Sequence, residues 1–273
     1  MTYINYAQGN IPIVLSIPHN GGLEIPDIPT RVGIIKGDYT GRLVLNNDID
    51  TYRIGDNIIK FFKHNTKFIP YMVCNNVNRN HVDINRQKQV GCEHPIAENI
   101  WNAYHQKLKE YITQCTNEYG HCLLIDIHGN VTTNNLIEFG YATQLSDIIN
   151  QSLSKSSLSF LNKYYKPIEL IVGDRSLTEF FKYRDNSFKI VPNSIYDTSE
   201  EIRTLSSKNY YYNGGFITKF YSQTYSIDAI QIELSLDLRQ DENYETVSKK
   251  IAESLILFYV NNYFSIFPNI FSK

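Results

Sequence analysis

Residues 122–126 read Cys-Leu-Leu-Ile-Asp, and Ile127, His128 and Gly129 follow them. A continuous apolar run of this length is typical of a strand that is buried on both faces, as in a parallel sheet covered by helices. Because side chains alternate along a strand, Asp126 and His128 are expected to lie on the same face. The run therefore predicts the centre of an α/β sheet, with a carboxylate and an imidazole near the end of one strand.

Strand-like runs alternate with helical patterns on both sides of this segment. The predicted strands are 11–17, 68–73, 136–142, 168–173, 188–192 and 229–235, and the predicted helices are 52–63, 95–119, 144–164 and 243–263. Pro95 suits the first position of the longest helix and Gly120 suits its end. Pro70 predicts that 68–73 is an edge strand or carries a bulge. The alternation predicts an α/β sheet covered on both faces.

The composition is that of an ordinary globular protein. Of the 273 residues, 42% are hydrophobic and 20% are charged, and the formal net charge is −2. A dedicated nucleic-acid or membrane-surface protein would carry clustered Lys and Arg, which this chain lacks. We expect a single domain, residues 1–273, in which the irregular polar stretch 174–212 forms a lid or insertion.

The same survey predicts a cytoplasmic setting. No apolar run reaches the roughly 18 residues that a membrane span needs. The first ten residues, MTYINYAQGN, lack the basic and apolar segments of a signal peptide. The four cysteines, at positions 74, 92, 115 and 122, form no C-x-x-C pair and are few for a disulfide framework. We expect them to be reduced and to pack as small apolar side chains.

A second histidine also follows a predicted strand. His19 lies in Ser16-Ile-Pro-His-Asn-Gly-Gly22, directly after the run 11–17. Since ligands of open α/β sheets bind at the carboxyl ends of strands, His19 and His128 are candidates to meet there. A histidine in an ordinary Gly-rich turn is the alternative. Catalytic zinc commonly uses two histidines and one carboxylate, and Asp126 would support the His128 imidazole from behind.

Three carboxylates are candidates for the third ligand. Asp48 and Asp50 lie in Asn46-Asn-Asp-Ile-Asp-Thr51, just before a predicted helix, and either one could simply cap that helix. Glu24 could reach the site only if its loop folds back. The residues alone leave this choice open.

Two further segments carry groups that suit hydrolysis. In the segment 79–86, Arg86 could grip a carboxylate with two parallel hydrogen bonds, and Arg79 could polarise a carbonyl. A solvated loop with an internal Arg–Asp pair is the alternative. Glu233 shares one face of a predicted strand with Gln231, and a buried carboxylate there indicates either a salt bridge or a general base.

The remaining motifs narrow the range of functions that the sequence allows. Gly214 and Gly215 precede a short helical pattern, where exposed amides attract anions, although a plain turn would look the same. Five other histidines show no ligand spacing and are expected to be structural or solvated: His64, His81, His94, His105 and His121. The chain has no G-x-S-x-G, P-loop or G-x-G-x-x-G motif, which disfavours a serine nucleophile or nucleotide binding.

Taken in chain order, six segments resemble the N-formylglutamate amidohydrolase family. They are Ser-Ile-Pro-His-Asn-Gly (16–21), Asn-Asp-Ile-Asp-Thr (47–51), Arg-x-x-x-Asp-x-Asn-Arg (79–86), Asp-Ile-His-Gly (126–129), Asn-Gly-Gly-Phe-Ile-Thr-Lys-Phe-Tyr (213–221) and Gln-Ile-Glu-Leu (231–234). This family is similar to the zinc carboxypeptidases and aspartoacylases. The resemblance implies a three-layer α/β/α fold around a mixed, mostly parallel sheet.

The resemblance also implies the site residues. It implies one zinc ion bound by His19, Asp48 and His128, with Glu233 as the catalytic base. Arg79 is expected to act as the second catalytic group. The residues expected to bind substrate are Asn20, Asn85, Arg86, Gly214, Gly215 and Thr218, of which Asn85 and Arg86 resemble a carboxylate clamp.

The implied activity is hydrolysis of the amide bond of an N-acyl amino acid such as N-formylglutamate by metal-activated water. The substrate would be a small molecule bearing a carboxylate. A peptidase or another amidase on the same zinc site is one alternative, and a catalytically degenerate binding or scaffold protein is another. The chain departs from the resembled pattern at Asn20 and Gly129, where Ser is frequent, and at Ile49-Asp50, where Trp-His is frequent; these changes bear on the substrate.

Overall fold

One mixed sheet forms the centre of the protein. The computed structural model describes residues 2–35, 38–39, 43–153, 155–183, 187–193, 211–240 and 243–267. Its strands are β1 (Ile4–Ala7), β2 (Ile13–Ile17), β3 (Ile34–Ile35), β4 (Asp38–Tyr39), β5 (Tyr71–Asn75), β6 (Leu123–Gly129), β7 (Leu136–Gly140), β8 (Lys189–Val191) and β9 (Asp228–Leu234). Seven of these described strands form the sheet in the order β1-β5-β2-β6-β9-β7-β8, and β3 pairs with β4 separately.

The strand directions confirm the predicted mixed, mostly parallel sheet. The four central strands β5, β2, β6 and β9 are parallel to one another, and β7 is parallel to β8. The edge strand β1 is antiparallel to β5, and β7 is antiparallel to β9. The carboxyl ends of the four central strands therefore meet at one edge of the sheet.

Helices cover both faces of the sheet. They are α1 (Thr51–Thr66), α2 (Lys88–Gly91), α3 (Pro95–Tyr119), α4 (Leu145–Ile149), α5 (Pro167–Ile171), α6 (Leu177–Lys182), α7 (Phe216–Tyr225), α8 (Leu236–Arg239) and α9 (Asn243–Tyr263), with a 3₁₀ turn at Leu161–Lys163. Val14 and Leu15 are adjacent in β2 but belong to different cores. Leu15 packs in the core that contains α1 and α9, and Val14 packs in the core that contains α3 and α7. The result is the predicted three-layer arrangement.

The helices predicted at 95–119 and 243–263 are confirmed to the residue. In α3, Pro95 occupies the first turn, His94 accepts a hydrogen bond from the amide of Ile96, and Gly120 ends the helix with a φ of 79°. Among the described residues, none of the helices combines the length and the apolar character needed to cross a bilayer. All four cysteines are buried and unpaired.

Three sequence predictions are wrong. The helix predicted at 144–164 ends at Ile149, because the chain then runs along the sheet. There the amide of Ser157 donates to the carbonyl of Tyr141, and the carbonyl of Ser157 accepts from the amide of Ala229. The strand predicted at 168–173 is the helix α5, since a short apolar run fits either structure. Strand β5 is not at an edge, because Pro70 precedes it and leaves every amide of the strand free to pair.

The predicted lid lies largely outside the described residues. Within 174–212, the structure describes α6 and β8, and β8 is part of the main sheet. Residues 184–186 and 194–210 are not described, so a lid over the site stays a prediction.

Candidate metal centre and cavity

The sheet brings the two candidate histidines together. His19 lies two residues after the end of β2, and His128 lies near the end of β6. These strands are adjacent and parallel, with Ser16 opposite Asp126. On the other side of β6, His128 is opposite Glu233 of β9. Both imidazoles and the Glu233 carboxylate therefore lie at the same edge of the sheet.

Asp48 joins the two histidines in a compact group. Its Oδ2 lies 3.2 Å from Nδ1 of His19 and 3.0 Å from Nδ1 of His128. One ligand atom from each of the three residues lies within 4.8 Å of the others, and all three residues are buried. Ligand atoms around a tetrahedral zinc ion, at the usual bond lengths of about 2.0–2.2 Å, lie about 3.3 Å apart. The spacing and the donor atoms therefore fit a divalent metal ion.

The second nitrogen of each imidazole is held by its own carboxylate. Nε2 of His128 lies 3.1 Å from Asp126, and Nε2 of His19 lies 2.8 Å from Asp83. Such outer carboxylates keep the other ring nitrogen available as a metal ligand and orient the ring. Asp126 is itself held by hydroxyl groups, accepting hydrogen bonds from Ser16 at 2.7 Å and Thr218 at 3.3 Å. The predicted pairing of Asp126 with His128 is confirmed.

The role of Asp83 was missed by the sequence analysis. Its Oδ2 accepts two hydrogen bonds from Arg79, at 3.0 and 3.1 Å, and its Oδ1 faces His19. Burial disfavours the charged form, but Arg79 and His19 hold the pKa of Asp83 well below its ordinary value. The internal Arg–Asp pair, which was the alternative interpretation of this segment, is therefore present between Arg79 and Asp83. The same aspartate also orients His19, a candidate ligand. Nothing in the spacing indicated that Asp83 would contact His19.

Geometry decides between the three carboxylates. Asp50 immediately precedes α1, its backbone is in the left-handed region with a φ of 68°, and its carboxylate lies 3.5 Å from Arg53. Glu24 is largely exposed and lies 2.8 Å from His81. Among the described residues, Asp48 is the carboxylate that lies with the two histidines.

The charges within the group reinforce one another. Burial disfavours ionisation of Asp48, but His19 and His128 lower its pKa well below the ordinary value. Burial also disfavours a charged His128, but Asp126 and Asp48 raise its pKa well above the ordinary value. Asp48 and Asp126 thus favour positive charge at this point.

The group opens into a cavity of about 350 Å³. Its lining includes the metal-ligand candidates and Glu233 with Gln231. The lining also includes Arg79, Asn85, Arg86, Gly214, Gly215 and Arg239. Burial raises the pKa of Glu233 to about 8, and the carboxylates of Asp48 and Glu138 act in the same direction. Gln231 donates a hydrogen bond of 3.1 Å to Glu233, which orients the carboxylate.

Two of the residues expected to bind substrate line the cavity, but their polar groups already contact other groups of the protein. Asn85 is buried, its carboxamide oxygen accepts a hydrogen bond from the amide of Ile217, and its nitrogen lies 3.0 Å from Nε2 of His128. The amide of Gly215 donates to Gln231 at 2.6 Å. These contacts use two amides at the start of α7, so neither has a free hydrogen for an anion.

The other expected substrate residues are placed differently. The side chain of Arg86 lines the cavity and is 44% exposed. Thr218 is fully buried behind Asp126. Asn20 accepts a hydrogen bond from the amide of Tyr52 at the start of α1, so it caps that helix. Substrate binding by these residues stays a prediction.

Comparison with known proteins supports the fold. No protein-family model and no curated protein sequence matches this chain. Among solved structures, an N-formylglutamate amidohydrolase from Ralstonia eutropha JMP134 matches with a TM-score of 0.56 and 12% identity, over 96% of this chain and 99% of that one. A gene product of Agrobacterium tumefaciens matches with a TM-score of 0.55 and 10% identity, over 96% of both chains.

The fold and the buried His–Asp–His group define an α/β protein with a candidate metal centre at the carboxyl edge of its sheet. The matched structures show, more particularly, that the chain has the fold of the N-formylglutamate amidohydrolase from Ralstonia eutropha. The fold implied by the sequence resemblance is therefore confirmed over nearly the whole chain.

Proposed function

We propose that this protein is a metal-dependent amidohydrolase that holds one zinc ion through His19, Asp48 and His128. The observation that carries the proposal is that both imidazoles direct Nδ1 at one oxygen of Asp48 while each Nε2 is held by a separate carboxylate. Two nitrogens and one carboxylate oxygen are a donor set of catalytic zinc. When bound, zinc would supply Lewis-acid activation of water, whose pKa it lowers from 15.7 to about 7.

Glu233 is the general base in this proposal. It lies opposite His128 on the neighbouring strand, faces the cavity and is oriented by Gln231. It would accept a proton from the attacking water and pass it to the leaving amine. Its pKa of about 8 belongs to the site without a cation, and a divalent cation nearby lowers the pKa of a carboxyl group. Glu233 would then be ionised at neutral pH, as a base must be.

The cationic wall of the cavity favours a substrate that bears a carboxylate. The Arg86 side chain is nearly half exposed, and its Nε lies 3.7 Å from Asp83, so its guanidinium remains available to a ligand. Arg79 is anchored by Asp83 and lies 3.8 Å from Asp48, where it would stabilise negative charge on the carbonyl oxygen. Losing one such donor typically costs about 3–4 kcal/mol of activation free energy.

The size of the cavity and the matched fold favour a small N-acyl amino acid. A volume of about 350 Å³ is at the lower end of the range for small-molecule pockets. The name of the matched Ralstonia eutropha structure makes N-formylglutamate the first substrate to test. We further propose that the enzyme acts in the cytoplasm.

The proposal is tested first by metal content and then by a substrate panel. Purified protein is expected to retain close to one zinc ion per chain after dialysis. Zinc-loaded protein is then assayed on N-formyl and N-acetyl amino acids and on short peptides, each compared with the same compound in which the carboxylate is replaced by a carboxamide. We expect hydrolysis of an N-acyl amino acid and a marked preference for the carboxylate form.

Two outcomes would contradict the proposal. Protein that holds no divalent ion would refute the metal centre. Protein that holds stoichiometric zinc but cleaves no amide in the panel would refute the enzymatic activity and favour a binding protein. As a matched test of the clamp, Arg86→Met is expected to raise KM for the carboxylate substrate more than for its carboxamide.

A further inference from the structure

Arg239 is a buried cation on the wall of the cavity that the sequence analysis did not assign. It ends α8, follows Glu233 along the chain and is 2% exposed. Burying a guanidinium is costly unless its N–H groups find partners. The hydrogen-bond partners of the Arg239 guanidinium therefore indicate the role of this residue.

The guanidinium donates to three backbone carbonyls in separate segments. Nη1 donates to Ile49, Nη2 donates to Asn130 at 2.7 Å, and Nε donates to Leu234 at 3.3 Å. Ile49 is next to Asp48, Leu234 is next to Glu233, and only Gly129 separates Asn130 from His128. One rigid, planar guanidinium thus binds backbone carbonyls that lie one or two residues after Asp48, His128 and Glu233.

Gly129 provides the space for this contact. A Cβ atom at position 129 would lie 2.3 Å from Nε and 2.4 Å from Cζ of Arg239. Both distances are far shorter than any contact between non-bonded heavy atoms, and the guanidinium cannot move without losing its carbonyl partners. The absence of a side chain at position 129 and the position of Arg239 are therefore coupled.

The sheet alone does not place all the candidate groups. His128 and Glu233 are held in register by β6 and β9, but Asp48 lies in the loop before α1. That loop is tied to the site by the amide of Asp48, which donates to the carbonyl of His19 at 2.9 Å, and by the contact of Ile49 with Arg239. Arg239 thus links the backbone of the loop that carries Asp48 to the carboxyl edge of the sheet.

We propose that Arg239 is a positioning residue that holds the segments carrying Asp48, His128 and Glu233 at the spacing needed for metal binding and proton transfer. The inference rests on the function proposed for this site, but the contacts belong to the protein chain itself. They can therefore be tested with and without metal. Arg239 would act through these three residues and would not itself contact the reacting atoms.

The first experiment compares Arg239→Gln and Arg239→Lys with the control Arg175→Gln. Arg175 also donates to a backbone carbonyl, that of Asn261 at 2.9 Å, but it packs over Tyr165 away from the cavity. We measure zinc affinity by chelator competition, the visible spectrum of the Co²⁺-substituted protein, and amide hydrogen exchange of metal-free protein in segments 46–52 and 127–132.

Both Arg239 variants are expected to bind zinc about 10–100-fold more weakly, the effect typical of outer groups that orient metal ligands. Their Co²⁺ bands should shift and the two segments should exchange faster. Lysine should not rescue these properties, because one ammonium group cannot reach three separated carbonyls in one plane. The control should match the wild type in all three measurements.

The second experiment is a double-mutant cycle with Gly129→Ala. This change should weaken zinc binding in the wild-type background, and the loss should be at least about threefold smaller in the Arg239→Gln background. Gly129→Ala by itself disturbs the same contact without replacing Arg239, so this single variant tests the contact even if the Arg239 variants fold poorly. Additive effects at the two positions would contradict the proposed contact.

The outcomes separate this inference from the proposed function. If the wild type binds zinc and the Arg239 variants match it in affinity, Co²⁺ spectrum and exchange, Arg239 has no positioning role and the metal centre stands. If the wild type binds no metal but the Arg239 variants exchange faster in both segments, the metal centre fails and the positioning of the chain by Arg239 stands.

Discussion

The two ends of strands β6 and β9 bury the same kinds of group in different surroundings. At the amino end, His121 precedes β6 and Asp228 begins β9. At the carboxyl end, His128 and Glu233 lie opposite one another. The first pair is enclosed by aromatic side chains, and the second faces a cavity.

The groups at the amino end have fixed protein partners. His121 lies 2.8 Å from the hydroxyl of Tyr259 and 3.0 Å from the carbonyl of Tyr119, and it stacks on Tyr263. Asp228 accepts hydrogen bonds from the amide of Phe160 and from the hydroxyl of Tyr263, at 2.9 and 2.6 Å. These contacts hold α9 and the turn at residue 160 to the sheet, so the polar groups stabilise the fold.

The two histidines have opposite pKa shifts. Burial lowers the pKa of His121 to about 4, and the hydrogen bond to the carbonyl of Tyr119 offsets this only in part. Burial acts in the same direction on His128, but Asp126 and Asp48 raise its pKa well above the ordinary value. The comparison shows that a buried histidine indicates a site only when carboxylates and a second imidazole converge on the same point.

Replacing one histidine at each end of the strands should give the largest difference between the two ends, which is measured as zinc retained. His128→Asn removes a candidate ligand, so we expect the zinc retained after dialysis to fall below detection and turnover to be lost. His121→Asn should retain stoichiometric zinc, although the loss of aromatic stacking should lower the melting temperature. Metal analysis and thermal unfolding of both variants check this, and equal zinc retention would contradict the assignment of His128.

Neutralising a carboxylate at each end should give the next largest difference. Glu233→Gln should lower kcat by about 10²–10⁴-fold, the usual contribution of a general base. Asp228→Asn should leave kcat within about twofold, because its partners lie far from the cavity. Steady-state kinetics on a proven substrate decide the point. Wild-type turnover by zinc-loaded Glu233→Gln would remove Glu233 from the mechanism.

Replacing the outer carboxylates should give a smaller effect. Asp126→Asn and Asp83→Asn should each weaken zinc binding about 10–100-fold, because each carboxylate orients one imidazole. The surface variant Asp56→Asn loses only an exposed pair with Lys60 and should bind zinc as the wild type does. Chelator competition measures all three, and unchanged affinity in both buried variants would show that the outer carboxylates are dispensable.

The pH dependence of stability should give the smallest effect, and its response to metal should distinguish the ends. Burial raises the pKa of Glu138, which lies opposite Glu233, from 4.5 to about 7, and it raises the pKa of Asp228 from 3.8 to about 7. Each native carboxyl group keeps its proton in a pH range where the unfolded chain has lost it. Each group therefore destabilises the native protein as the pH rises through that range, by up to about 1.4 kcal/mol per pH unit.

Replacing either group removes this loss. Relative to the wild type, the stability of metal-free Glu138→Gln and of metal-free Asp228→Asn should rise as the pH increases from 5 to about 7, as measured by urea unfolding. Zinc should reduce the effect at Glu138, because a nearby cation favours its ionised form, and should leave the effect at Asp228 unchanged. A relative stability that falls with pH would contradict the sign, and an equal response to zinc at both positions would contradict the placement of the metal.

Much of the architecture could be predicted because local patterns matched the tertiary environment. The boundaries of α3 and α9 follow from their apolar periodicity, and those of α3 also from Pro95 and Gly120. The run before His128 is a buried central strand, as its apolar composition predicts. The prediction failed at 168–173, where an apolar run of that length fits a buried strand and a buried helix equally well.

The candidate site was predicted only in part for a related reason. His19 and His128 stand out because each follows a strand, and parallel strands bring their carboxyl ends together. Asp83 and Arg239 give no such signal, because their roles depend on which groups face them across the fold. Asn20 looked like a group of the site from its neighbour His19, yet it caps α1.

By itself, the sequence determined the α/β class, the order of most elements and the candidate histidines, since these depend on residue spacing along one segment. Only the tertiary structure decided that Asp48 rather than Asp50 or Glu24 meets the histidines, that Asp83 and Asp126 orient them, and that Arg239 joins three segments. Those contacts link residues far apart in the chain, and their free energy depends on distance and burial after folding, which local pattern does not encode.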